Sequence, residues 1–302
     1  MIAVIISTCD IFIFDLDKVT IMFHLTTAIY IFLFGMCIGS FMNVCIYRLP
    51  ISKSIADPPR SVCPSCDRVI RYYDNIPVFS YFWLKGRCRH CGAPISWRYP
   101  LVEIMSGFFA LCVFRKFGLT FEGFFYYAFI SSLLVITFID IDHQIIPNSI
   151  TLPGIPIFFL ASFIARKPIW YNKILLSKVI GLLAFFPFPE TTYNSILGIL
   201  TGGGSLYLVG KTYYLIKKEE GMGGGDIKLL AMIGALLGWE GVFFTIFVGS
   251  AVGTFAGIIN MISTRLINIK ARIPFGPFLS IGAITYIFYG KEIIEQYFKM
   301  LR

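Results

Sequence analysis

The chain has 302 residues, of which 57% are apolar, 17% aromatic and only 14% charged, with a formal net charge of +9. Soluble domains carry about 25% charged residues, so composition argues against a soluble fold. The length instead suits an all-α polytopic membrane protein with about eight spans of ~20 residues and one extramembrane insert. Nucleic acid is set aside as a partner for the positive charge, because the basic residues gather in short loops between apolar runs, the positive-inside pattern.

Residues 1–21 are apolar but broken by Asp10, Asp15 and Asp17, and no basic segment precedes them as a cleavable signal would require. They read as a poorly ordered extension, or as sequence upstream of a true start at Met22. The first span is expected at 22–47 and ends at Arg48-Leu49-Pro50. Residues 48–100 change character: they hold nine Lys/Arg against three acids, several prolines and four paired cysteines. Such a basic loop is expected on the cytoplasmic side.

The cysteines form Cys63-Pro64-Ser65-Cys66 and Cys88-Arg89-His90-Cys91, with 21 residues between the pairs. Two Cys-x-x-Cys pairs at this separation have the form of a zinc site. Four thiolates would close a tetrahedron and leave no open position, so a structural zinc is expected to fold a loop poor in core residues. A reducing compartment argues against the alternative of disulfides or a redox pair. His90 could replace a neighbouring ligand but reads as an exposed side chain. Cys9, Cys37, Cys45 and Cys112 sit in apolar runs and read as small core residues.

Residues 101–302 are expected to form the main transmembrane domain. Spans two and three fall at about 101–117 and 121–139, joined by a short turn at Gly118. Pro147, Pro153 and Pro156 predict an irregular start to span four, at about 148–165. An apolar run at 174–188 is too short to span and reads as interfacial or re-entrant. Gly202-Gly203-Gly204 inside the next span, about 193–216, predicts close approach of a neighbouring helix. Shorter apolar segments follow at about 227–239, 241–262 and 275–290.

Two acidic stretches lie at the edges of these apolar runs: Asp140-Ile141-Asp142-His143 and Gly223-Gly224-Gly225-Asp226. Ionisable groups at membrane depth are costly and usually mark function. Two carboxylates in one site can share a proton, the charged one activating water and the neutral one polarising a carbonyl. That is aspartic peptidase chemistry. Each acid has a plainer reading as a helix cap; span parity, which puts both on one face, favours catalysis. A buried-acid ion transporter is the non-enzymatic alternative.

The chain resembles the bacterial type IV prepilin peptidases. The likeness rests on Gly39-Ser40-Phe41-Met42-Asn43, Tyr47-Arg48-Leu49-Pro50, the two cysteine pairs and Trp97-Arg98-Tyr99-Pro100 with Glu103. It continues at Ile139–Gln144, Gly221–Lys228 and Ile273-Pro274-Phe275-Gly276-Pro277. The resemblance implies an inner-membrane aspartic endopeptidase that removes the basic leader of prepilins and pseudopilins after a glycine, at the cytoplasmic face. It maps the catalytic pair to Asp140 and Asp226, with Asp142 as the alternative to Asp140. It also implies N-methylation of the new terminus from S-adenosylmethionine, with Gly86 a candidate contact. Glu103, Arg98 and Asn43 could instead be structural, tying the loop to the first spans. Lys228 could bias Asp226 or hold substrate, or simply snorkel. The stretch between the acids is about twenty residues longer than the family's, the excess falling at 166–192. A presenilin-like protease shares Gly-x-Gly-Asp but would lack the cysteine loop. Oligomeric state and the particular pilin substrate stay open.

Overall fold

The computed structural model describes residues 2–164, 190–218, 223–264 and 274–300. Within them the α-helices are α1 (Ile2–Arg48), α2 (Phe79–Trp83), α3 (Arg98–Phe117), α4 (Phe121–His143), α5 (Asn148–Ile164), α6 (Glu190–Lys217), α7 (Gly224–Thr264) and α8 (Gly276–Met300). The loop between α1 and α3 is largely turns, with a short 3-10 helix at Tyr72–Asn75. Residues 2–21, set apart in the sequence as an extension, continue α1 as helical backbone. Contacts divide the chain into two compact units, Met1–Val44 with Pro59–Gly118, and Cys45–Pro58 with Leu119–Arg302.

Among the described residues three stretches are long and apolar enough to cross a membrane: Leu25–Arg48, Phe121–His143 and Gly224–Ile262. Asn148–Phe163 is a shorter apolar helix. The 174–188 run lies outside the described residues. Gly238, at φ 71° and ψ −177°, breaks α7 into two helical pieces, in line with the two segments expected there. Glycine reaches that conformation without a Cβ penalty.

In the first unit α1 and α3 pack closely through small residues. A Cβ on Gly39 would lie 2.6 Å from the Glu103 Cα, and one on Gly35 would lie 2.7 Å from the Ala110 Cβ. Asn43 donates from its side-chain amide to the Tyr99 carbonyl at 3.0 Å. The Ser106 hydroxyl donates to the Gly35 carbonyl at 2.7 Å. Buried polar groups in a helix pair need such partners, and these fix the register. Glu103 is buried; it accepts the Val78 backbone N–H at 2.7 Å and a hydrogen bond from Ser40. Asn43 and Glu103 are therefore tie points between the cysteine loop and the helices, the plainer of the two roles open to them.

In the second unit α7 is central and packs on α5, α6 and α8, while α4 packs on α5 and α8. The α6–α7 contact is backbone to backbone: a Cβ on Gly198 would overlap the Gly234 carbonyl, and one on Gly202 the Leu230 carbonyl. Of the triple glycine only Gly202 makes this approach; Gly204 faces open space. Helix α5 runs through Pro153 and Pro156 without a break, where irregularity was expected. Membrane helices tolerate proline when nearby groups satisfy the freed carbonyls. Arg48, buried at 6% exposure, donates from one guanidinium nitrogen to the carbonyls of Ser54, Ile55 and Pro58 at 3.2, 2.8 and 2.9 Å. It thereby folds the segment that follows α1.

Candidate active site and metal centre

Helix α4 is capped at its start by Thr120, whose hydroxyl accepts the Gly123 N–H at 3.0 Å. It ends where Gln144 turns left-handed at φ 55° and donates its N–H to the Asp140 carbonyl at 2.9 Å. This places Asp140 in the last turn, on the buried side at 5% exposure. Asp142, two residues on, is exposed. Burial thus separates the two acids, with the less favoured alternative, Asp142, on the exposed side.

The Asp140 carboxylate oxygen Oδ2 accepts the backbone N–H of Gly276 at 2.9 Å. Gly276 opens α8, and Pro277 follows it in the first turn. A negative group at a helix C-terminus is unfavourably placed in that helix's dipole; the N-terminus of a second helix offsets this. A Cβ at Gly276 would stand 2.7 Å from Oδ2, so a side chain there would displace the acid.

Asp226 lies in the first turn of α7 and is partly buried. Two contacts seat that turn against the link after α4. A Cβ on Gly225 would fall 2.8 Å from the Ile146 Cβ, and the Lys228 Nζ donates to the Asn148 Oδ1 at 2.8 Å. Lys228 is therefore a tether between α7 and α5 rather than a free surface lysine. As a result Asp226 lies within electrostatic reach of Asp140. One helix C-terminus and two helix N-termini converge on this acidic pair. Sequence reasoning missed the roles of Gly276 and Asn148; the Gly-Pro pair, a common helix-start signal, was the available cue for the first.

The cysteine loop forms two similar turns. In one, Cys63 N–H donates to the Arg68 carbonyl (2.9 Å) and Asp67 N–H to the Cys63 carbonyl (2.9 Å). In the other, Cys88 N–H donates to the Ala93 carbonyl (2.8 Å) and Gly92 N–H to the Cys88 carbonyl (3.0 Å). The residue after the second cysteine has positive φ in both, Asp67 at 54° and Gly92 at 72°, a conformation that suits Gly and Asp. The turns bring all four sulfurs within 4.8 Å of one another. Cys63 Sγ and Cys91 Sγ are 3.9 Å apart, too far for a disulfide and close to the ~3.8 Å edge of a tetrahedron with ~2.3 Å zinc–sulfur bonds. Backbone N–H groups of Cys91 and His90 pull the Cys88 thiol down to about 6. The Arg68 N–H lowers Cys66, but burial with Cys63 and Cys91 outweighs it and pushes that thiol up to about 11. Such crowding of thiols favours a cation to balance further thiolates. His90 pairs instead with an Arg68 guanidinium nitrogen at 3.3 Å.

Gly86 has a structural reason of its own. At φ +66° its missing Cβ would meet the Tyr81 ring at 3.1–3.2 Å, and its carbonyl accepts the Ile95 N–H at 2.7 Å.

Residues 33–117 match the bacterial Peptidase A24 N-terminal domain, and residues 127–258 match the type IV leader peptidase family. A prepilin leader peptidase/N-methyltransferase of Aeromonas hydrophila is 32% identical over 290 residues, covering 88% of this chain and 92% of that protein. One from Stutzerimonas stutzeri is 33% identical, covering 89% and 92%. One from Myxococcus xanthus is 36% identical over 237 residues, covering 78% of this chain but only 64% of that longer protein. No solved structure matches the chain.

Proposed function

We propose, for a chain that belongs to the type IV leader peptidase family, that Asp140 and Asp226 are the carboxylates that cut prepilin leaders. The protein is a prepilin leader peptidase and N-methyltransferase. Its substrate presents a basic leader, a glycine before the cut and an apolar helix. The supporting observation is that Asp226, 86 positions on, lies within electrostatic reach of Asp140 where three helix ends converge.

The chemistry needs no metal at the acids. One ionised carboxylate takes a proton from water while the oxygen attacks the peptide carbonyl carbon. The other, protonated, gives its proton to the carbonyl oxygen. Collapse of the tetrahedral intermediate breaks the C–N bond: the first carboxyl gives its proton to the leaving nitrogen while the second takes one back from a hydroxyl, re-forming the carbonyl and restoring the pair. Glycine before the cut lets the substrate strand pass close to the pair.

Residues 48–100 serve as the zinc-binding insert and 101–302 as the peptidase domain. Cys63, Cys66, Cys88 and Cys91 would hold the zinc, which crosslinks the two turns and supplies no reaction chemistry. S-adenosylmethionine, when bound, supplies a methyl group to the new amine. Gly86 is carried forward as a candidate contact for it, although Tyr81 already accounts for the absence of a side chain there. The enzyme is placed in the inner membrane as a multi-pass protein of about eight spans, with pilin or pseudopilin precursors as partners and its acids at the cytoplasmic face.

The test is product identity. Full-length protein in lipid, given a prepilin and S-adenosylmethionine, should yield a pilin cut after the glycine and methylated at its new N-terminus by mass spectrometry. An intact leader, or a cut elsewhere, would overturn the proposal.

A further inference from the structure

The cysteine loop is hydrophilic in composition yet carries large exposed aromatic side chains. Phe79, Phe82 and Trp83 are 63%, 69% and 81% exposed. They lie at i, i+3 and i+4 of α2, so they share one face of that single short helix. Tyr81, on the other side, packs against Gly86. Trp97, 68% exposed, precedes α3. Scattered exposed apolar residues need no explanation, but an aromatic face on a polar loop does.

The depth of α2 follows from contacts within the first unit. Val78, the residue before α2, donates its N–H to Glu103, and Glu103 packs beside Gly39 of α1. Gly39 lies nine residues before Arg48, the end of a candidate membrane span. At 1.5 Å per residue that is about 13 Å inward along the helix. The whole Leu25–Arg48 stretch is about 36 Å long, some 6 Å more than a ~30 Å hydrocarbon core. Gly39 therefore lies roughly 7–10 Å inside the hydrocarbon edge. Val78, joined to that level through the single Glu103 side chain, starts α2 at or inside the edge of the bilayer instead of out in water.

Charge selects the kind of surface. Residues 48–100 hold nine Lys/Arg against three acids, and Lys85 and Arg87, directly after α2, are both exposed. Aromatic side chains flanked by basic residues at headgroup depth fit an anionic leaflet.

We infer that α2 is an interfacial anchor: Phe79, Phe82 and Trp83 insert at the headgroup boundary of an anionic phospholipid leaflet, while Lys85 and Arg87 meet its phosphates. The anchor would hold the cysteine insert down on the bilayer instead of leaving it free in water. This rests on the membrane reading above and not on the identity of the catalytic acids.

The test uses tryptophan quenching in full-length protein reconstituted into phosphatidylcholine–phosphatidylglycerol nanodiscs. Some discs carry bromines near the carbonyl ends of the acyl chains. The Trp83 signal is the difference between the parent and Trp83→Phe. It should lose about half its intensity or more in brominated lipid, as expected of a ring at the interface, and resist aqueous iodide. The Lys85→Glu/Arg87→Glu pair should restore access to iodide. A Trp83 signal quenched by iodide and indifferent to bromine would overturn the inference. So would protection that develops only when a leader-bearing peptide is added, which would assign the face to substrate. Trp239, inside a candidate span, is the control, read through Trp239→Phe. If bromine quenches Trp239 but not Trp83, the anchor alone fails; if neither is quenched, the membrane reading falls with it.

Discussion

The backbone N–H of Gly276 reaches across 136 residues to Oδ2 of Asp140, at 2.9 Å. It hydrogen-bonds an acid that sits at the unfavourable end of its own helix. Because a Cβ at Gly276 would lie 2.7 Å from the same oxygen, Gly276→Ala should push the carboxylate aside. A displacement of about 1 Å in a reacting group can cost on the order of 100-fold in rate. Peptidase turnover should fall by about that factor, while N-methylation of a pre-cleaved pilin continues. Loss of both activities together would point to misfolding instead.

The four sulfurs gathered within 4.8 Å predict a bound metal in the isolated protein. Elemental analysis should find about one zinc per chain, as a closed tetrahedral site requires. Cys63→Ser and Cys91→Ser should each abolish it and increase proteolysis within 48–100, because metal binding there is folding free energy. A metal-free wild-type protein with oxidised cysteine pairs would contradict this.

Asp74 and Arg89 form an ion pair at 2.6 Å in the same insert, with side-chain exposures of 7% and 38%. The Arg89 guanidinium holds the Asp74 carboxyl below the usual carboxylate range. A depressed acid contributes stability that is complete above its unfolded value near 3.9 and is lost only as pH falls through the lower folded value. Asp74→Asn should therefore cost the insert up to about 1 kcal/mol, screened by solvent at the exposed arginine. The cost should be flat between about pH 6 and 8 and shrink in high salt, as read by thermal unfolding of the zinc-loaded protein.

The glycines of α6 give a contrast within three residues. Gly202→Ala would drive a methyl group into the Leu230 carbonyl and should destabilise by about 1–3 kcal/mol. Gly204→Ala meets nothing within 4 Å and should be neutral or stabilising by up to about 1 kcal/mol from helix propensity. Unfolding midpoints in detergent will order the two variants.

Much of this organisation was legible in local pattern, because local pattern encodes local turns. The Cys-x-x-Cys pairs marked the two turns that gather the four sulfurs. The short turn expected at Gly118 precedes the start of α4, and the two segments expected at 227–239 and 241–262 match the break in α7 at Gly238. Distance from Pro147 in the motif favours Asp140 over Asp142; both sit in the last turn, and packing adds a physical difference by burying one and exposing the other. Gly276 stood out as part of a motif, yet its use depends on a contact 136 residues distant. Lys228 reads equally as a snorkelling side chain from sequence, and its hydrogen bond to Asn148 joins residues 80 positions apart. The aromatic face of α2 was hidden for another reason: a five-residue helix is too short to show periodicity.

The most direct measurement is cleavage of a prepilin by full-length protein in lipid, with Asp140→Asn, Asp226→Asn and Asp142→Asn compared in parallel. Asp140→Asn and Asp226→Asn should each lose about 10²–10⁴-fold in rate, as expected on removal of a general acid or base. Asp142→Asn should stay within about threefold of the parent, as an exposed residue outside the pair should. Full processing by Asp140→Asn or Asp226→Asn, or its loss in Asp142→Asn alone, would contradict the paired-acid account.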